Sequence, residues 1–452
     1  MGSQPRRSNR SKKIASSPAE AEESLSSLPA AAPLITIRAR NAANKPFEPI
    51  VVARSKVNGH QMVIMARNWG YILRVRTRWA GDPDMREYFG GRAIGDLDKL
   101  GITRRAIQRL ALATHIEIEL CEWDDEDKLT KAEVETEQAK AEAGAILEAA
   151  SEIPWEYLLS TATKSVGRFQ SVLISRCFSR RSKLKPSLAA ELAPVAATAI
   201  QPMAPQHFLF VESAPGRIEQ VYGFGDEEKR LQAATKLEEI AEHTDLEKAT
   251  GLLFSKTEPY SELKRKVEAR AWDAIHVTGV DTHQVAWLVE DFYDAAIKVA
   301  RRKNVIDTSD RLHDGMILRG DRDSELPVRY DELASLLVGR PPSSATARAA
   351  ASRASKPPPC VVTLNLYYSG ARTARELVRR GVYAAIGFLD EIDDEFAERF
   401  FQAFYWAWCH KNMTIPDSFL DAWSAMDAER MHGTAIVIWL GRSAFDSTAT
   451  PR

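Results

Sequence analysis

The sequence of 452 residues has only four cysteines, Cys121, Cys177, Cys360 and Cys409, and no two lie close together. No CxxC pair occurs, so neither a zinc ribbon nor a dithiol redox motif is present. Such sparse use fits a reducing compartment, and a cytoplasmic location is expected. The nine histidines are scattered, without HExxH or a similar ligand spacing, so no metal is expected. No GxxxxGK[ST] or GxGxxG follows a strand-like run, which removes the usual phosphate cradle, and no cofactor is expected. Gly90, Gly91 and Gly95 are read as a turn instead. An excess of charge is lacking too: 61 basic residues face 62 acidic ones, for a net charge of -1. With no overall positive field, nucleic acid is not an expected partner. Long apolar runs are absent; a stretch such as Ala435 to Leu440 is far too short to span a bilayer.

What is present is a globular composition, 44% apolar and 27% charged, in a chain long enough for two or three domains. Residues 1–32 are rich in Ser, Ala, Pro and charge with no apolar period, and are read as a disordered tail. Its basic cluster, Arg6, Arg7, Arg10, Lys12 and Lys13, is most simply solvated. Residues 33–125 read as a small α+β region. ITIRAR (35–40), MVIMAR (62–67), YILRVRTRW (71–79) and HIEIEL (115–120) are read as half-buried strands, with a helix-like segment within 96–112. Residues 126–152 are rich in Glu, Lys and Ala and are expected to form a connecting helix. Pro154 ends it, in the stretch IPWEYLL (153–159). Residues 180–205 read as a connector.

From His207 the pattern alternates strand and helix: HFLFVES, a helix over 226–243, GLLFSK, a helix over 261–270, then AWDAIHVTG (271–279). That alternation predicts βαβ units and a mostly parallel sheet. A helix is expected over 284–302, then HDGMILRG (313–320) and a helix within 327–337. Residues 340–359 are low in complexity and are expected to be a flexible internal loop. CVVTLNLYYSG (360–370) follows, an apolar strand that stops abruptly in a tight loop before a helix over 371–380. In an open α/β sheet, ligands gather at the carboxyl ends of such strands. Helices over 393–410 and 417–426 and a last strand, TAIVIWLG (434–441), complete the chain, with 443–452 as a tail. The aromatic face of 393–410 is read as core.

Four stretches, taken in order, resemble the CHAT family of caspase-like cysteine peptidase domains. IPWEYLL is similar to the family's entry motif, and DAIHVTG to the strand that leads to the histidine loop. VVTLNLYYSG is similar to the strand that leads to the cysteine loop, and residues 381–408 to the stretch after it. The resemblance spans about 153–442. It implies a caspase-like three-layer sandwich with a mostly parallel central sheet, and a histidine and a cysteine on loops at the strand ends.

The family's Gly-His-Gly is matched here by Gly279, Val280 and Asp281. Its Leu-Asn-x-Cys-x-Ser-Gly is matched by Leu364 through Gly370, so the nucleophile position holds Tyr367. Valine has no proton-accepting atom, and a phenol with a pKa near 10 is a poor nucleophile toward an amide. The resemblance therefore implies a pseudo-peptidase, with candidate cleft residues His276, Gly279, His283, Asn365, Tyr368, Ser369 and Gly370. Such a protein would serve as a non-catalytic partner, scaffold or regulator in a bacterial conflict or cell-death system. Its expected partner is a protein, with an active CHAT or caspase-like peptidase as one candidate. The alternative is an active peptidase whose dyad has moved, with Ser369 and His283 as the conceivable pair. Cys360 stands at the wrong end of its strand, roughly 20 Å from Tyr367.

Overall fold

The computed structural model describes residues 33–75, 82–124, 144–166, 172–182, 204–214, 224–241, 244–246, 248–282, 314–322, 324–338, 357–426 and 435–445. The first part of the chain forms β1 (Pro33–Arg40), β2 (Ile50–Ala53), α1 (Gly59–Arg74), α2 (Pro83–Lys99), α3 (Arg104–Leu110) and β3 (His115–Asp124). A helical stretch at 144–152 leads to α4 (Trp155–Val166) and β4 (Leu173–Ser182). Next come β5 (His207–Ser213), α5 (Gly225–Thr235), β6 (Gly251–Lys256), α6 (Tyr260–Ala269) and β7 (Ala274–Gly279). A hairpin of β8 (Gly315–Arg319) and β9 (Glu325–Arg329) precedes α7 (Tyr330–Val338). The remainder is β10 (Val361–Asn365), α8 (Thr373–Arg379), β11 (Ala384–Phe388), α9 (Asp394–His410), α10 (Ile415–Ala425) and β12 (Ile436–Leu440).

Ten strands join in one sheet, in the order β2-β1-β3-β4-β12-β11-β10-β7-β5-β6. Within this sheet only β1–β2, β1–β3 and β11–β12 pair antiparallel. The expected α/β class with a mostly parallel central sheet is what the chain forms. The core strands read as near-continuous apolar runs because helices cover both faces. Phe208 and Phe210 of β5 enter one core with Ile386, Ile438 and the aromatic face of α9, while Leu209 and Val211 enter the other with Ala385 and Val437. The strands of 33–125 do not stand apart. β3 lies beside β4 in a parallel ladder of ten register pairs, His115↔Leu173 to Asp124↔Ser182.

Several local expectations are corrected. MVIMAR and the start of YILRVRTRW are not strands but parts of α1. Met62, Met65, Ala66, Trp69, Ile72 and Leu73 recur at helical spacing and are buried, and Asn58 caps the start by accepting from the His60 amide at 2.8 Å. Residues 76–79 lie outside the described residues. The three glycines form no turn but sit within α2. Gly90 is explained by packing, since a Cβ there would fall 1.8 Å from Ser165 Oγ of α4. The helix expected over 226–243 stops at Thr235, where Lys236 takes a left-handed φ of 55°, and Ile240 then bonds to the β6 edge at Leu252 O.

β4 was hidden by its arginines. Arg176 is fully buried, donates to both oxygens of Glu156 at 2.8 and 2.5 Å and to the carbonyls of Ser151 and Ile153, and lies over the Trp439 ring. IPWE is therefore a structural motif: Glu156 pairs with the β4 arginine, and Trp155 Nε1 donates to Ala150 O at 2.8 Å. Of the connecting helix, 144–152 is described, with Ile146 facing Gly59 and Leu147 buried; 126–143 lies outside the described residues. So do 284–302 and most of 340–359.

After β12 the chain folds back over β3. The buried carboxylate of Glu117 accepts from Ser443 Oγ at 2.5 Å and the Ala444 amide at 2.6 Å, and the Phe445 ring sits 5.0 Å from the His115 ring.

Candidate functional site

β7 and β10 are parallel neighbours, with Thr278 opposite Asn365. Two residues further on in sequence come Val280 and Tyr367, each just past the end of its strand. Gly279 has φ +150°, and a Cβ there would lie 2.3 Å from Ser213 O, so only glycine fits. Val280 is buried. Its amide donates to Ser213 O at 3.0 Å and its carbonyl accepts from Ile317 N of β8 at 3.0 Å. Val280 thus fixes the loop between β5 and the hairpin through its backbone.

The loop after β10 is built just as firmly. Ser369 Oγ donates to Leu366 O at 2.7 Å and accepts from the Phe388 amide at 3.2 Å, and its side chain is buried. The Gly370 amide donates to Phe388 O at 2.7 Å, and the Gly370 carbonyl accepts from Trp439 Nε1 at 2.7 Å. A Cβ on Gly370 would press on the Phe388 backbone at 3.0 Å. Ser369 and Gly370 therefore close the loop onto β11 and β12. Tyr368 adopts φ +56°, with its ring under the Arg74 guanidinium at 4.8 Å and its hydroxyl donating to Glu391 at 3.1 Å. Burial raises its phenol above the ordinary value. Tyr367, half-buried, points its hydroxyl at Asp394 Oδ1, 3.5 Å away.

Beneath these loops lies a closed polar chain. His276 is fully buried, with Nδ1 on Thr363 Oγ1 at 2.7 Å and Nε2 on Glu227 Oε1 at 2.8 Å. Thr363 Oγ1 also meets Tyr405 OH at 2.6 Å, and Asn365 Nδ2 donates to Glu227 at 2.8 Å. Hydroxyl, imidazole and carboxylate stand in the order of a nucleophile relay. Thr363 has no accessible surface, however, and Phe210, Phe401 and Tyr405 enclose the imidazole. No substrate reaches this hydroxyl. The chain ties α5, β7, β10 and α9 together under the strand ends.

Of the residues named from sequence, the structure brings Gly279, Val280, Asn365, Tyr367, Tyr368, Ser369 and Gly370 to the ends of the two strands. His276 lies one layer below, and His283 lies outside the described residues. Burial also quiets the thiols. It raises both Cys360 and Cys409 to about 12, and Cys177 well above the ordinary value. A second hydroxyl–histidine contact, His115 Nε2 to Ser175 Oγ at 2.8 Å, is also buried, and it lies on β3 and β4, far along the sheet. A cavity of about 720 Å³ between α6 and α7, lined in part by Tyr260, Trp272, Leu336 and Pro358, shares no residue with the strand-end loops.

Sequence reasoning missed the carboxylates that border the loop. Glu227 is in the first turn of α5, and Asp394 and Glu398 are in the first two turns of α9. Glu398 is pushed up to about 7, by burial first and then by Glu227, Asp226 and Asp394, against the pull of Arg230. Asp394 is raised by desolvation, then by Asp393 and Glu227. Acidic residues at a helix start read as ordinary dipole complements. Nothing in GDEEKR marks the second acid as the buried one.

Among the described residues no group of three or more His, Cys, Asp or Glu is arranged to hold a metal ion, and no helix is long and apolar enough to cross a membrane. The chain matches no protein-family model, and a comparison with curated proteins gives no match.

Proposed function

We propose that this chain is a CHAT-like pseudo-peptidase, a caspase-like scaffold that binds a protein at the β7 and β10 strand ends without cleaving it. One observation carries the reading. The two loops follow the carboxyl ends of adjacent parallel strands, where α/β sheets gather ligands, yet Val280 acts through its backbone and Tyr367 engages Asp394. Ser369, the remaining hydroxyl besides the tyrosines in that loop, is buried and bonded within the loop frame. A nucleophile needs an accessible atom beside a base, and no such pair stands among the described residues at these ends. The role that follows is a partner, scaffold or regulator, of the kind that pairs with an active caspase-like peptidase in a bacterial conflict or cell-death system. That last step is an analogy of fold.

The test uses the purified full chain and a pool of quenched fluorescent peptides with basic residues at the scissile position. The expected result is no turnover above buffer. Turnover abolished by Ser369→Ala, Cys360→Ala or His283→Ala would overturn the reading.

A further inference from the structure

The first turns of α5 and α9 both border the loop after β10, through Asn365 on Glu227 and Tyr367 on Asp394, and both are acidic: Asp226, Glu227 and Glu228 on one, Asp394 and Glu395 on the other. Most of these acids have a cation of their own. Asp226 pairs with Lys229, Glu228 with Lys256, Glu395 with Arg399, and Glu398 with Arg230 at 3.1 Å. Glu227 and Asp394 differ. Glu227 is 1% exposed, its Oε1 serves His276 and Asn365, and its Oε2 has no hydrogen-bond partner. A buried carboxylate oxygen left without a donor is costly, and such orphans call for an explanation. Asp394 has the Tyr367 hydroxyl, a neutral donor at a long 3.5 Å. Contacts place the three carboxyls in one neighbourhood: Asn365 and Tyr367, two residues apart, reach Glu227 and Asp394, and Arg230 of α5 pairs with Glu398 of α9 at 3.1 Å.

We infer that this acidic recess is a binding site for a cationic side chain, a lysine ammonium or an arginine guanidinium, presented by a partner protein. The inference rests on the reading of the strand ends as a protein-binding cleft and names what that cleft selects. An incoming cation would displace the weak Tyr367 bond from Asp394 and add a charge-assisted partner beside Glu227, whose Oε2 lacks a donor. The Tyr367 ring beside it offers a cation a favourable face. Anionic ligands are repelled. A bare metal ion is disfavoured, because the described carboxyls do not gather as a ligand set.

Fluorescence anisotropy with the full chain tests this. The probes are four fluorescein-labelled, acetylated nine-residue peptide pools with randomised flanks and a fixed centre of Lys, Arg, norleucine or Glu. The Lys and Arg pools are expected to bind at least about tenfold tighter than norleucine, the size of one charge-assisted hydrogen bond. Asp394→Asn and Glu398→Gln are each expected to lose most of that preference, while Asp245→Asn, an exposed acid elsewhere, keeps it. Because Glu227→Gln would disturb the buried chain, it is not relied on. If norleucine binds as tightly as Lys, or the preference survives Asp394→Asn with Glu398→Gln, the recess is not a cation site although the cleft binds peptide. If no pool binds, the cleft reading fails and the inference fails with it.

Discussion

Acid should weaken this fold through one histidine far from the strand-end loops. His115 lies at the start of β3, 3% exposed, with the Phe445 ring against it and Nε2 on Ser175. Nδ1 has no hydrogen-bond partner, so the Nε2 contact with Ser175 is the ring's single hydrogen bond. Burial, then Arg40, lowers its pKa from 6.5 to about 3. The unfolded chain binds the proton first as pH falls, so stability is full above the unfolded value and drains away between pH 6.5 and about 3. Linkage at pH 5 gives RT ln[(1 + 10^1.5)/(1 + 10^-2)], about 2 kcal/mol, against roughly 0.2 at pH 7. The full loss below the folded value is roughly 5 kcal/mol. His115→Gln keeps a donor for Ser175 and removes the titration. Denaturant unfolding at pH 7 and pH 5 should show the wild type losing about 2 kcal/mol more than the variant between the two. Ring-proton NMR should show no titration of His115 down to pH 4. Equal pH dependence of the two proteins, or a ring that titrates near 6.5, would refute the reasoning.

Three further outcomes are expected. Ser369→Ala leaves the buried Phe388 amide without its side-chain partner and should cost about 1–3 kcal/mol by thermal melting, with no change in peptide turnover. Glu156→Gln strips the charge partner from fully buried Arg176 and should cost about 3–5 kcal/mol; a loss below about 1 kcal/mol would show that the pair matters little. Affinity for the lysine-centred pool should fall as pH drops from 8 to 6. Glu398, raised to about 7 among Asp226, Glu227, Arg230 and Asp394, then takes up a proton and stops attracting the cation; a flat profile, or one unchanged in Glu398→Gln, would count against that.

Much of the fold was legible because the central strands obey simple rules. The runs at 207–213, 251–256, 274–279 and 361–365 each centre on buried apolar residues, as strands covered on both faces do. The errors fell where one residue type serves two environments. MVIMAR alternates over too few residues to separate a strand from a helix, and only the Asn58 cap and the burial of Trp69 decide it. β4 went unread in the sequence, because the partner of Arg176, Glu156, lies twenty residues away and meets it only in the fold. The two loop positions were legible from order and spacing. The carboxyls around them were not, since burial of Glu227 depends on His276 and Asn365 reaching it from other strands.

The place of β12 bears on how the chain comes to be folded. β4 and β11 share no ladder; β12, the last strand in sequence among the described residues, lies between them. As synthesis proceeds, β2-β1-β3-β4 and β11-β10-β7-β5-β6 can each form, but they face one another as two sheets with open edges until residues 436–440 emerge. Such edges invite pairing with other chains. Closure of the sheet is thus a late event in the life of each molecule, with Ser443 and Ala444 then locking Glu117 on the far half. A chain stopped before Ile436 should leave the ribosome as two half-sheets and aggregate, whatever the stability of either half.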